Sequence, residues 1–217
     1  YTSKNTLSLH DALPIWASEK SIITAGAMSR ARLQQASFTT FLTDVHRKEE
    51  KMKKAKIQEI IDTVKKQELE LRLEHFSNDD AYALGNQYVK KIKDDGIEMA
   101  VQIKKINGNT LFSYFSEGTN LMNENWMKRK FKTVIMNEKS SYLIWAFNEM
   151  AGRGDDPVRD ASIQGMDVKE YAICGGGFPI KLKSGEMVGV ILASNLPHEK
   201  DHQFIVDGLT DYINSLA

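Results

Sequence analysis

Apolar positions along the chain fall into helical, alternating and continuous runs, and each kind of run names an element. Ile57, Ile60, Ile61 and Val64 recur at helical spacing and predict an amphipathic helix over about 54–67. The charge run His46 to Lys56 ahead of it has no core-forming face and predicts a solvated helical extension. Leu69, Leu71 and Leu73 alternate with charged residues, the pattern of a half-buried strand. Ser77-Asn78 followed by Asp79 and Asp80 predicts a helix start with acids in its first turn. Ala81, Leu84, Tyr88 and Ile92 form that helix's buried stripe, and Gly96 stops it. Two β runs, 97–106 and 110–115, are joined by Asn107-Gly108-Asn109, a strong hairpin signal.

Further on, Met127, Phe131, Val134 and Ile135 mark a helix over about 123–136. Ser140 or Ser141 caps another, carrying Leu143, Ile144, Trp145, Phe147 and Met150. The Gly/Asp-rich stretch 152–170 reads as a surface loop. Strands are predicted over 171–183 and 186–194, turning at Ser184-Gly185, and a final helix over 197–214. Paired strands broken by helices give an α+β fold, an antiparallel sheet with helices packed on it. The glycine run Gly175-Gly176-Gly177 before Phe178-Pro179 demands unusual dihedral angles or very close approach by another group.

The chain has 217 residues, enough for one domain with a sizeable core, and 29 basic side chains balance 29 acidic ones. That balance argues against a general nucleic-acid or anionic-membrane surface. No apolar run approaches the roughly 20 residues of a membrane-spanning helix. Cys174 is the single cysteine, which excludes an internal disulfide and fits a reducing, cytoplasmic setting. With no neighbouring charge to lower its pKa, it reads as a small buried side chain. Residues 6–15 match the translation of a common sequencing-library adapter, so 1–15, His10 included, are expected to be an assembly artefact. Residues 16–53 are expected to form a disordered or helical extension ahead of a domain at 54–217, with Met28 and Met52 as candidate starts. Arg30, Arg32 and several Ser and Thr without acids give 28–43 a transit-peptide-like composition.

Several clusters could carry chemistry. His198-Glu199-Lys200-Asp201-His202 fits the H-E-x-x-H spacing of zinc peptidases, but it opens directly after Pro197, and no His, Cys or Glu follows to supply a third ligand. The expectation is therefore a helix N-terminus without metal. His202 alone is either a structural, hydrogen-bonded imidazole or a haem-iron ligand. Residues 126–132, Trp-Met-Lys-Arg-Lys-Phe-Lys, mix cations and aromatics; Met127 and Phe131 belong to the core stripe, which leaves a solvated cationic face and disfavours nucleic acid. Arg129 offers a planar fork for carboxylates. The glycine run could cradle an anion, but lacks the residues of a P-loop, and close packing of a backbone or subunit is the simpler account. Arg153-Gly154-Asp155 reads as a chance match to an integrin tripeptide.

The glycine run, Leu196-Pro197 with Asp201-His202, Phe112, Gly118-Thr119, Trp126, Arg129-Lys130 and Ser140-Ser141-Tyr142 together resemble the haem-degrading-domain family, in its branch named as an uncharacterised protein family. The resemblance spans about 68–213 and implies a profilin-like fold, a soluble homo-oligomer of dimers or higher, and haem or another planar anionic ligand. By that resemblance the ligand lies near Arg129, Lys130, Gly175, Gly176, Gly177 and His202. A binding or assembly role is expected ahead of a haem-degrading oxidative enzyme, and a pure assembly or chaperone-partner module is the further alternative.

Overall fold

The computed structural model describes residues 15–153 and 164–216, with side chains described from residue 43 onward. Most of the adapter-like stretch and residues 154 and 155 of the Arg-Gly-Asp tripeptide lie outside the described residues. The chain divides at Lys53–Lys54 into two units. The described part of the first is helical, with exposed ion pairs such as Arg47–Asp44 at 3.3 Å.

In chain order the described elements are α1 (Ile15–Glu70), α2 (Asn78–Asp94), β1 (Ala100–Lys105), β2 (Thr110–Phe115), α3 (Leu121–Asn137), α4 (Ser141–Met150), β3 (Gly177–Lys181), β4 (Met187–Ser194) and α5 (His198–Ser215); from Lys54 on they belong to the second unit. The fold is α+β. Its sheet is antiparallel throughout, in the order β2-β1-β4-β3. Period-two alternation sends side chains to both faces. Val101, Ile103, Ile191 and Ala193 meet Leu84, Tyr88 and Leu209 of α2 and α5 on one face. Ala100, Val190 and Leu192 meet Met127 and Val134 of α3 on the other. A third cluster docks Ile57, Ile61 and Val64 of α1 on Tyr142, Leu143 and Ala146 of α4.

Local signals explain most element ends. Ser77 and Asp80 form a reciprocal capping box at the start of α2, and Gly96 ends it at φ +61°. Asn120 and Asn123 cap α3 in the same way, two residues earlier than the apolar stripe predicts. Two strand expectations are corrected. Residues 69–73 do not form a strand, because α1 runs on to Glu70 and Leu71 N still donates to Gln67 O at 2.9 Å. Only Leu73 reaches the sheet, as a single parallel bridge to Leu182. Residues 171–176 are irregular: Gly176 still accepts from Ala193 N of β4 at 2.8 Å, but its φ of +103° turns the chain away before it, and β3 begins at Gly177.

Candidate ligand cleft beside the glycine run

Lys130 lies midway along α3 on its inward side and is only 2% exposed. Its Nζ donates to Asp201 Oδ2 at 2.7 Å and to Ala193 O at 2.9 Å. Asp201 Oδ1 accepts from the backbone N–H groups of Asn195 at 3.2 Å and Leu196 at 2.9 Å. One ion pair therefore ties α3, the end of β4 and the first turn of α5 together. Burial outweighs the ammonium and holds the Asp201 carboxyl above the usual carboxylate range.

The glycines close this junction from above. A Cβ on Gly176 would lie 2.4 Å from Ala193 O and 2.5 Å from Lys130 Nζ; one on Gly175 would lie 1.9 Å from His198 O. Gly177 N donates to Ser141 Oγ at 3.0 Å, and a Cβ there would press on Val134 at 2.9 Å. The expected close approach is present, and the approaching atoms are the chain's own.

Both histidines of the H-E-x-x-H run are engaged. His198 Nδ1 accepts from Gly175 N at 3.2 Å, which assigns the proton to Nε2, 3.1 Å from Glu199 Oε1. Burial lowers the His198 pKa, partly offset by Glu199. His202 is 2% exposed, with its ring 4.8 Å from that of Tyr142 and 5.8 Å from that of Phe178. Its Nε2 donates to Gln67 Oε1 at 2.9 Å, and its Nδ1 is buried without a partner. Burial first, then the neighbouring His198, push its pKa down to about 4, so the ring is neutral. Among the described residues no three His, Cys, Asp or Glu side chains group to hold a metal ion.

Arg129 is half-buried. Its Nη2 donates to Val168 O and to Tyr171 O, and its guanidinium lies 4.5 Å from the centre of the Trp126 ring. The basic run is thus not a uniformly solvated face: Lys130 points inward and Lys132 pairs with Glu170.

These six positions do not fit a haem as a set. The glycines are filled by their neighbours, Lys130 is neutralised, and the lone pair that His202 retains is buried. Its other nitrogen is held by α1. Two clefts adjoin the junction: one of about 680 Å³ between α1 and α5, lined by Gln67, Tyr142 and His202 among others, and one of about 440 Å³ on the α3 side. In the α3-side cleft, Asn120, Met122, Asn123 and Trp126 of the α3 start form one wall, Cys174, Asn195 and His198 the other, and the Lys130–Asp201 pair the floor. Asn123 Nδ2 bridges the walls to Asn195 Oδ1 at 3.1 Å, while Asn120 Nδ2 has no partner among the described residues. Burial raises the Cys174 thiol pKa despite Lys130 nearby. Sequence reasoning missed Asn120, Asn123 and Gln67 as parts of this region. The two asparagines were legible only as helix-start residues, and the Gln67–His202 contact carries no local signal.

Residues 76–210 match the family model described as haem degrading protein HbpS-like. The chain belongs to this family. A UPF0303 protein of Psychromonas ingrahamii is 39% identical over 150 residues, covering 69% of this chain and 91% of the relative. A UPF0303 protein of Yersinia enterocolitica is 32% identical over 146 residues, covering 66% and 82%. The crystal structure of Ybr137w superposes with a TM-score of 0.64 at 27% identity, covering 71% of this chain and 88% of that one. A PduOC–haem complex shares the fold at a TM-score of 0.50 and 18% identity, covering 64% and 95%.

Proposed function

We propose that this HbpS-like protein is a self-associating binding protein that holds a planar ligand bearing anionic or other acceptor groups in the cleft beside Trp126. The observation that carries this reading is Trp126 itself, 37% exposed on the cleft lip with the Arg129 guanidinium against its ring. A flat ligand rests on the indole, and its acceptors meet Arg129 and the free Nδ2 of Asn120. The cleft volume falls within the range of small-molecule sites. Binding is favoured over catalysis because the ionisable groups at the cleft are paired or neutral: Lys130 with Asp201, His198 with both nitrogens bonded, and a thiol of raised pKa. Haem is the ligand that the family description suggests. In this reading a porphyrin is recognised by its ring and carboxylates, without His202 on the metal.

Parallel titrations with haemin and metal-free protoporphyrin test it. Both are expected to saturate, and Trp126→Ala weakens both about tenfold, roughly 1.4 kcal/mol. A saturable Soret shift with haemin alone, kept in Trp126→Ala and lost in His202→Gln, overturns the cleft and restores iron ligation. Absence of saturable binding by either leaves a pure assembly module, the second reading, which the unpaired edge of β2 favours.

A further inference from the structure

The two edges of the sheet are treated differently. At the β3 edge Pro179 lacks an N–H, and Leu73 covers the end by exchanging bonds with Lys181 O at 3.0 Å and Lys183 N at 2.8 Å. The β2 edge, Thr-Leu-Phe-Ser-Tyr-Phe, has no charge and no proline, and no other described strand pairs with it. Ser116 N donates to Met99 O at 3.3 Å, which fixes the alternation of the ladder. Phe112 and Tyr114 are therefore the residues bonded to β1, and the N–H and C=O groups of Ser113 and Phe115 face outward. Phe115 is 37% exposed. Such an edge is a template for another strand.

We infer that the occupant is the β2 strand of a second copy, paired antiparallel about a two-fold axis near Ser113. This rests on the self-association in the proposed function and gives it a surface. The glycine run, which sequence reasoning offered for that role, is buried within the chain. Three features select a second copy. The outward groups of Ser113 are self-complementary under the two-fold axis, and with Phe115 and its counterparts they form about four inter-chain hydrogen bonds. The uncharged stretch of one copy covers that of the other, with Phe115 beside Leu111 of the second copy. The bulge opposite Lys104 ends the pairing there. The charges also complement each other. Glu117 follows β2 at one end and Lys105 flanks the hairpin at the other, so the axis brings each Glu117 to the basic tip of its counterpart. The product is a dimer with one sheet running through both copies.

Sedimentation velocity and hydrogen–deuterium exchange on the full chain test this. Ser113→Pro removes an outward N–H and the hydroxyl that accepts from Gln102 Nε2 at 3.2 Å, and spares the β1–β2 backbone ladder, so it is expected to weaken self-association about a hundredfold or more with unchanged circular dichroism, while Ser113→Ala, which loses only the hydroxyl, leaves self-association as in the parent. Glu117→Lys and Lys105→Glu each weaken it, and the two combined restore it. Amides of Ser113 and Phe115 exchange more slowly as concentration rises. If Ser113→Pro does not fold, the exchange and the charge swap decide. A parent oligomer indifferent to these variants, with Ser113 and Phe115 exchanging as a free edge, overturns the β2 interface and leaves self-association standing. A parent that is monomeric throughout overturns both.

Discussion

Removing the ammonium of Lys130 leaves the Asp201 carboxylate buried with backbone donors and no counter-ion. Lys130→Met is expected to cost about 3–5 kcal/mol in urea unfolding, and adding Asp201→Asn is expected to cost far less than the sum, because the stranded charge is gone. His202 gives a pH dependence of defined sign. Folded, it protonates only near 4; unfolded, near its ordinary 6.5. Its depressed pKa therefore contributes stability that is whole above 6.5 and lost as pH falls from there toward 4. Between pH 7 and pH 5 that amounts to about 2 kcal/mol, read as a drop in unfolding free energy that His202→Gln flattens. A parent whose stability is level across this range would refute the neutral, buried imidazole. At this scale the sequence marked Lys130, Asp201 and His202 as notable but not their partners. Lys130 and Asp201 are far apart in the chain and meet only through packing, and a lysine among surface-type cations gives no sign of facing inward.

Elements were legible where the signal is local. The Asn-Gly hairpin, the Ser77–Asp80 box and the Ser140 cap each rest on residues within one turn of one another, and each is present. Elements were misread where a neighbour decides. Alternation at 69–73 was overridden by α1, whose last turn is pinned by Ser140 N donating to Glu68 Oε1 at 2.7 Å. The glycine run looked like strand because the apolar residues after it are strand. Gly176 combines a positive φ of +103° with backbone 2.4 Å from any added Cβ. Gly176→Ala is accordingly expected to lose about 2 kcal/mol or more of stability and to loosen the start of β3, seen as faster amide exchange at Gly177 and Phe178.

For the whole molecule, the division at Lys53–Lys54 separates a unit with side-chain contacts to charged neighbours along its helix from one with three apolar clusters. A chain beginning at Lys54 is expected to keep the melting temperature of the full chain, whereas one beginning at Leu71 loses the Ile57, Ile61 and Val64 cluster and melts several degrees lower, by on the order of 1–2 kcal/mol or more. Scanning fluorimetry distinguishes these; a large drop for the first truncation would show that the N-terminal unit supports the fold. The antiparallel sheet, its two hairpins and its helices followed from pattern, while the strand order and the cleft did not, because the order depends on the long-range β1–β4 pairing and the cleft walls come from the start of α3, the glycine run and the β4–α5 turn. The junction of Lys130, the three glycines, Asp201 and His202 has a consequence for inheritance. The residues by which a newcomer is recognised as kin are those that hold its scaffold shut. Two proteins can share every one of them and still bind unrelated molecules. In the binding role proposed above, ligand differences are written in the cleft walls at Asn120, Cys174 and His198, none of which carries the resemblance.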